Sequence, residues 1–147
     1  MIRNATKNDI DGILEIEQSS FKWFVRFSKS VFYQYLNEFR DGFFLVLAKS
    51  GSIVGYAILA DENGNGYLLS IAVHPKSRNQ GIAASLLKYL ESKCREKGFP
   101  KLILEVREDN KRAIDVYKKQ GLVEVAKKKD FYGDGVDALV LEKTVSD

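Results

Sequence analysis

This chain has almost none of the residues from which metal sites and disulfide frameworks are built. Its 147 residues include one cysteine, Cys94, and one histidine, His74. A lone thiol excludes an internal disulfide, and the pair leaves no Cys/His cluster for a metal. No apolar run approaches the roughly 18 residues of a transmembrane helix, so no membrane partner is expected. The start, Arg3-Asn-Ala-Thr-Lys-Asn-Asp9, is too polar for a signal peptide, and a reducing cytoplasm is the expected location. Charge of one sign is scarce too: 23 Lys and Arg against 20 Asp and Glu leave a net charge of +3. That is too little to make nucleic acid the main partner, and enough for a modestly basic cleft taking a small anion. Repeats and low-complexity tracts are absent. With 45% apolar and 29% charged residues, the length predicts a single domain over residues 1–147 with a substantial core.

What is present is periodicity that changes along the chain. Thr6 is read as capping a helix with Ile10, Ile13, Leu14 and Ile16 on its apolar face. Phe21 to Phe27 is an irregular, aromatic-dense link, and a second helix from about Ser30 turns Phe32, Tyr35, Leu36 and Phe39 inward. Phe43 to Ala48 and Ile53 to Leu59 read as strands joined through Lys49-Ser-Gly-Ser52. Asn63-Gly-Asn-Gly66 then turns into a third strand, Tyr67 to Val73. Helix and strand alternate from there. Gly81 to Lys97 is helical and stopped by Gly98, Lys101 to Arg107 is a strand, and Asn110 caps a helix to Gln120 that Gly121 ends. Strands at Leu122 to Lys128 and Val136 to Lys143 flank the turn Phe131-Tyr-Gly-Asp-Gly135. The order ααβββαβαββ predicts an α/β fold, a mixed sheet with helices on both faces.

The run Val73-His-Pro-Lys-Ser-Arg-Asn-Gln-Gly-Ile-Ala83 is the most informative segment. It leaves an apolar strand, crosses a short basic loop and opens a helix at Gly81. Glycine there lets backbone N–H groups close on an anion. The helix start adds partial positive charge, and Arg78 adds a full one. The run lacks the Gly-Lys-Ser/Thr of a P-loop and the three glycines of a dinucleotide fingerprint. The expected ligand is some other phosphate-bearing cofactor; the plain alternative is a tight turn with exposed charges.

Two further positions stand out. Glu105 interrupts the apolar strand Leu102-Ile-Leu-Glu-Val-Arg107, where a carboxylate is costly unless it is paired, solvated by a cleft, or used. An ion pair with Arg107 or Arg112 is the structural alternative. Tyr117 lies seven residues after Asn110, two turns along one helix face, where a core aromatic and a simple N-cap would look the same. His74 is read as an exposed loop residue and Cys94 as a core filler. Lys127-Lys-Lys129 is read as a solvated edge that discourages strand pairing.

Together these motifs resemble a known family. Val73 to Ala83, then Leu104-Glu-Val-Arg-Glu-Asp-Asn110, Ala113-Ile114, Tyr117 and Gly121-Leu122, are similar to the GNAT superfamily of acetyl-coenzyme-A-dependent N-acetyltransferases. The ending Phe131-Tyr-Gly-Asp-Gly-Val-Asp-Ala138 resembles the branch that acetylates protein N-termini, including the bacterial ribosomal-protein-alanine acetyltransferases and their archaeal counterparts. The resemblance implies acetyl-CoA as cosubstrate and no metal. It implies a pyrophosphate held by Arg78 and the N–H groups of Asn79, Gln80, Gly81, Ile82 and Ala83. A pantetheine arm would lie along Ile71, Ala72 and Val73, with Asn110 as a polar contact. In relatives the position of Asn79 is frequently a second arginine. Glu105 matches the general base and Tyr117 the general acid. The acceptor groove falls to Phe21, Trp23, Phe24, Glu105 and Tyr132, with Phe131 standing where relatives usually carry another tyrosine. Lys22, Arg26 and Lys29 would favour acidic residues after the acceptor's first position.

The chemistry suits an N-terminal amine. An α-amino group with pKa near 8 is roughly a tenth to a quarter neutral around pH 7, whereas a lysine amine is below about 0.1% neutral. It asks little of a carboxylate base acting directly or through water. The sequence leaves open a lysine side chain, a polyamine or an amino sugar as the acceptor. It also leaves open a non-catalytic coenzyme A sensor, and a monomer or a homodimer.

Overall fold

The computed structural model describes residues 1–20 and 27–145. In chain order its elements are β1 (Ile2–Asn4), a 3₁₀ turn (Lys7–Asp9), α1 (Ile10–Ser20), α2 (Lys29–Glu38), β2 (Phe44–Lys49), β3 (Ser52–Glu62) and β4 (Asn65–Val73). After a second 3₁₀ turn (Pro75–Ser77) come α3 (Ile82–Lys97), β5 (Lys101–Arg107), α4 (Lys111–Lys119), β6 (Val123–Lys128) and β7 (Ala138–Thr144). The strands form one seven-stranded sheet in the order β1-β2-β3-β4-β5-β7-β6. Every pairing is antiparallel except β4 with β5.

Local sequence accounts for most of this. Ser50 and Gly51 (φ 51° and 80°) and Asn63 and Gly64 (φ 55° and 84°) place two consecutive left-handed residues between strands, the geometry of tight two-residue hairpins. Gly98 closes α3 in the left-handed conformation at φ 78°. Ser28 caps α2 by accepting the Val31 N–H. Helices cover both faces, as the alternating pattern predicts. Ile10, Ile13 and Ile16 of α1 and Phe32 of α2 pack on Phe44, Tyr56 and Ile58. On the other face Leu86, Leu87, Leu90 and Cys94 of α3 meet Leu102, Leu104 and Leu141. A leucine-to-alanine change in that second layer would cost about 2–5 kcal/mol.

The seam between β4 and β5 is what positions a site. The two strands pair only at Gly66 with Leu102 and Tyr67 with Ile103, although both continue well beyond. On its other side β4 carries a bulge: Leu59 opposes Leu68 while Ile58 opposes Ser70, leaving Leu69 extra. A bulge bends its strand and strengthens the local twist. Past Tyr67 the sheet therefore splits, and the gap opens between α3 and the α1 face.

The structure corrects the sequence reading at three places. The expected order ααβββαβαββ lacks one strand: Ile2–Asn4, within the polar start, pairs with β2 as an edge strand too short to reveal an alternation. The second and third meander strands extend further into their turns than the apolar residues alone suggest. Asp9 does more than follow a cap. Its carboxylate accepts both Arg3 guanidinium nitrogens at 2.7 and 2.9 Å and the Thr6 N–H at 2.8 Å, tying β1 to the start of α1.

Arg3 holds the Asp9 carboxyl below the usual carboxylate range, helped by the Thr6 N–H and opposed by burial. Its contribution is complete above about pH 4, the ordinary Asp value, and is lost as pH falls through the lowered value. Asp9→Asn is expected to lower the unfolding free energy by about 1.5–3 kcal/mol near neutral pH, as for a hydrogen bond to a charged group. Denaturant titrations near neutrality and in acid check this, with the gap between wild type and variant closing in acid.

Candidate active site

The split in the sheet opens into a cleft of about 840 Å³. Its walls are β4 at residues 68–73, the loop and first turn of α3, β5 at residues 104–107, and the inner face of α4. Backbone alternation decides which β4 groups face it. The His74 N–H donates to the Val54 carbonyl at 2.8 Å, so Ala72, two residues back, also turns its backbone to β3. Ile71 and Val73 then turn theirs to the gap. The Val73 carbonyl accordingly accepts Arg78 Nε at 3.2 Å. Ala72 lines the cleft only with its side chain, on the α1 face.

At the cleft's outer end lies the cradle. Asn79 and Gly81 both have positive φ, 65° and 75°, which turns successive amides inward; asparagine and glycine are the residues that tolerate this. The N–H groups of Asn79, Gln80, Gly81, Ile82 and Ala83 donate no hydrogen bond among the described residues. They sit at the N-terminus of a 16-residue helix. Arg78 is held against α1 by a 3.1 Å hydrogen bond to Ser20 Oγ. Arg112, from the first turn of α4, donates to Asn79 Oδ1 at 2.6 Å. A Cβ built on Gly81 meets no atom of the described residues within 4 Å, which leaves room above it for a ligand atom. Free amides, a helix start and two guanidinium groups fit a diphosphate. Gln80 departs from expectation in part: its side chain bonds Lys49 at 3.2 Å and lies outside the cleft lining.

At the inner end the titratable groups converge. Leu102, Leu104 and Val106 point into the α3 layer, so alternation puts Glu105 on the opposite face, where its side chain is 7% exposed. Neither arginine considered from the sequence pairs with it. Arg107 binds Asp109 at 3.0 Å and Asp134 at 2.6 Å, and Arg112 binds Asn79. The partner is Lys128, whose Nζ is 3.0 Å from Glu105 Oε1, while Oε2 is buried without a hydrogen bond among the described residues. Tyr117 also lines the cleft, and its hydroxyl makes no hydrogen bond among the described residues. Burial, then the nearby Tyr132, pushes that hydroxyl up. Tyr132 itself is pushed up to about 12 by burial and Glu105, against the opposing pull of Arg107, which lies 5.4 Å from its ring. Asn110 is both cap and wall: its Oδ1 accepts the Ala113 N–H at 3.2 Å, and it borders the cleft. Phe21, Trp23 and Phe24, with Lys22 and Arg26, lie outside the described residues. Their neighbours Ser20 and Phe27 line the cleft.

Sequence reasoning missed Glu17. It follows Ile10 and Ile13 on the apolar stripe of α1, a placement that could have flagged it, and is 1% exposed. Its carboxylate accepts the Phe27 N–H at 2.9 Å and the Tyr56 hydroxyl, and Tyr56 is 3.0 Å from Ser70 Oγ. His74 is likewise no loose loop residue. Its Nδ1 accepts the Lys76 N–H, so Nε2 carries the proton toward Glu15 at 3.2 Å. The three consecutive lysines do lie at an exposed sheet edge, as expected, and two of them also form ion pairs, Lys127 with Glu108 and Lys128 with Glu105. Cys94 is fully buried, and burial raises its thiol to about 11, consistent with a core filler.

Residues 10–122 match the acetyltransferase (GNAT) family. An N-alpha-acetyltransferase of Sulfurisphaera tokodaii is 32% identical over 153 residues, covering 95% of this chain and 90% of its own. Among solved structures, Ard1 from Thermoplasma volcanium is 28% identical with a TM-score of 0.91, covering 98% of this chain and 96% of its own. The ribosomal-protein-S18-alanine N-acetyltransferase from Escherichia coli is 26% identical with a TM-score of 0.83, covering 100% of this chain and 94% of its own. The family match takes in both strands of the split seam, the cradle and α4, and the chain belongs to the GNAT acetyltransferase family.

Proposed function

We propose that the protein transfers the acetyl group of acetyl-CoA directly to the α-amino nitrogen of a protein N-terminus, the class of reaction for which its archaeal and bacterial relatives are named. The observation that carries this is one continuous cleft. It runs from unpaired amides at the start of α3, past the exposed backbone of Ile71 and Val73, to Glu105 and Tyr117. We assign it to the cytoplasm, and no helix among the described residues is long and apolar enough to cross a membrane.

Each role follows from placement. Arg78, Arg112 and the amides of residues 79–83 would hold the diphosphate of the cosubstrate, which supplies an activated thioester. The backbone of Ile71 and Val73 would fix the arm and offer N–H groups to the oxygen on which charge develops. The acceptor would enter between Phe27 and the turn holding Phe131 and Tyr132. Glu105 takes the amine's proton, directly or through water. Tyr117 keeps its proton at neutral pH because burial raises its pKa. Proton loss from a phenol above 10 to a thiolate near 8.5 is uphill, so its part is a hydrogen bond to the departing sulfur, with transfer following charge build-up.

Incubation with acetyl-CoA and peptides varied at their first two positions is expected to place the acetyl group on the α-amino nitrogen by mass spectrometry. Modification confined to lysine side chains would overturn the reading. Gly81→Val puts a β-branched residue at φ 75° and a side chain into the cradle. It is expected to raise the acetyl-CoA Kd at least about tenfold, or about 1.4 kcal/mol, by calorimetry. Glu105→Gln should cut kcat by about a hundredfold or more and Tyr117→Phe by about a hundredfold, each with acetyl-CoA affinity retained. Steady-state kinetics alongside calorimetry separates the two effects.

A further inference from the structure

Lys128 ends β6, an edge strand whose six residues are all exposed, yet its ammonium is the hydrogen-bond partner of a carboxylate that is itself almost fully buried. The reach is long. Lys128 aligns with Ala138 of β7, which in turn aligns with Arg107, so its side chain crosses β7 to meet β5 one diagonal step away. The Phe131 ring supports it, with Nζ 5.0 Å from the ring centre. We propose that Lys128 is a positioning residue for the acceptor: by cancelling the charge of Glu105 it makes the cleft take up the neutral amine in preference to the ammonium. This rests on the reading of Glu105 as the base.

The surrounding charges leave this task to Lys128. From β4, Tyr67 faces Glu105; burial and that carboxylate push its hydroxyl up, so it is neutral near pH 7. Tyr132, from the turn before β7, is raised for the same two reasons and is also neutral. Glu62 lies toward Tyr67, while Asp109 and Asp134 lie toward Tyr132 and are bound by Arg107. On the carboxylate itself Lys128 is the one formal cation among the described residues. A bare Glu105 in a shielded cleft would attract an α-ammonium and stabilise it, and an ammonium has no lone pair for attack. With Lys128 on Oε1 that attraction is cancelled, and the buried Oε2 is the oxygen left without a hydrogen-bond partner among the described residues. As the C–N bond forms, the amine proton passes to the carboxylate. The C–S electron pair leaves with sulfur, which takes up a proton.

The test is the pH profile of kcat, which reports the amine as bound, on an alanine-starting peptide from about pH 6 to 10, a range that brackets the titration of an α-amine. Wild type, Lys128→Met, Lys128→Arg and Glu105→Gln are compared, with acetyl-CoA affinity measured by calorimetry for each. Lys128→Met is expected to move the acidic limb up by about one pH unit, losing about tenfold near pH 7 and recovering above pH 9. Lys128→Arg should keep the wild-type limb, and affinity for acetyl-CoA should hold throughout. An unmoved limb, a loss equal at every pH, or a KM effect limited to peptides with an acidic second residue would each overturn the proposal. If Glu105→Gln abolishes turnover while Lys128→Met changes nothing, this inference alone fails. If Glu105→Gln retains turnover, the reading of Glu105 as base fails instead.

Discussion

Everything in this molecule depends on β4 and β5 parting after two paired positions. A strand in the middle of a sheet that gives up its neighbour leaves N–H and C=O groups without partners, at a cost comparable to lost hydrogen bonds. Here that cost falls where Ile71 and Val73 face the gap. The two halves of the sheet stay rigid because each strand keeps its other neighbour: β5 pairs with β7 along its full length, and β4 stays on β3. The hinge of the split is also pinned from the α3 side. A Cβ on Gly66 would come within 2.5 Å of Cys94 Sγ, so glycine is what lets the helix press on the sheet at the last paired positions. A backbone edge left unpaired between two fixed halves suits an extended, amide-bearing chain, the role proposed for it above.

The cradle shows how one residue type can be exchanged for a different element of structure. An arginine at position 79 would have to adopt φ 65°, a region asparagine tolerates better. With Asn79 there, the second guanidinium comes from Arg112 on α4, and Asn79 Oδ1 anchors it at 2.6 Å. The loop after β4 and the helix after β5 are thereby joined across the cleft mouth. Positive charge at the mouth is preserved although the position usually supplying it is not.

Much of this was legible in the residues, and the limits have physical causes. Strand β5, the stop at Gly98, the cap at Asn110 and the hairpins are local, set by periodicity and by glycine or asparagine in left-handed conformations. Glu105 was legible as an odd residue in an apolar strand. Its partner was not, because Lys128 reaches it from two strands away, in a register shifted by a bulge near Val125. Strand β1 was hidden by its length of three residues, and its support comes from Asp9 rather than from its own pattern. The parting of β4 from β5 has no sequence signal of its own. It emerges from a bulge at Leu69 and from packing on either side.

Glu17 illustrates how the side of the cleft proposed to take the acceptor is held together by buried polar groups. Burying a carboxylate is unfavourable unless several donors converge on it. The Phe27 N–H and the Tyr56 hydroxyl do so. Burial and the adjacent Glu17 push the Tyr56 hydroxyl far up, so its proton stays on the phenol and the bond runs from Tyr56 to Glu17. The Tyr56 oxygen is then left to accept, which makes Ser70 its donor. Ser70 directly follows the bulged Leu69. One chain of hydrogen bonds therefore links the far end of the aromatic-dense link, at Phe27, through α1 and β3, to the stretch of β4 that leaves its neighbour. Because Glu17 and Tyr56 are buried and mutually bonded, Phe27 and the bent strand keep a fixed separation. A groove whose two walls are fixed in this way spends little binding energy on ordering itself, and more remains for aligning the acceptor nitrogen.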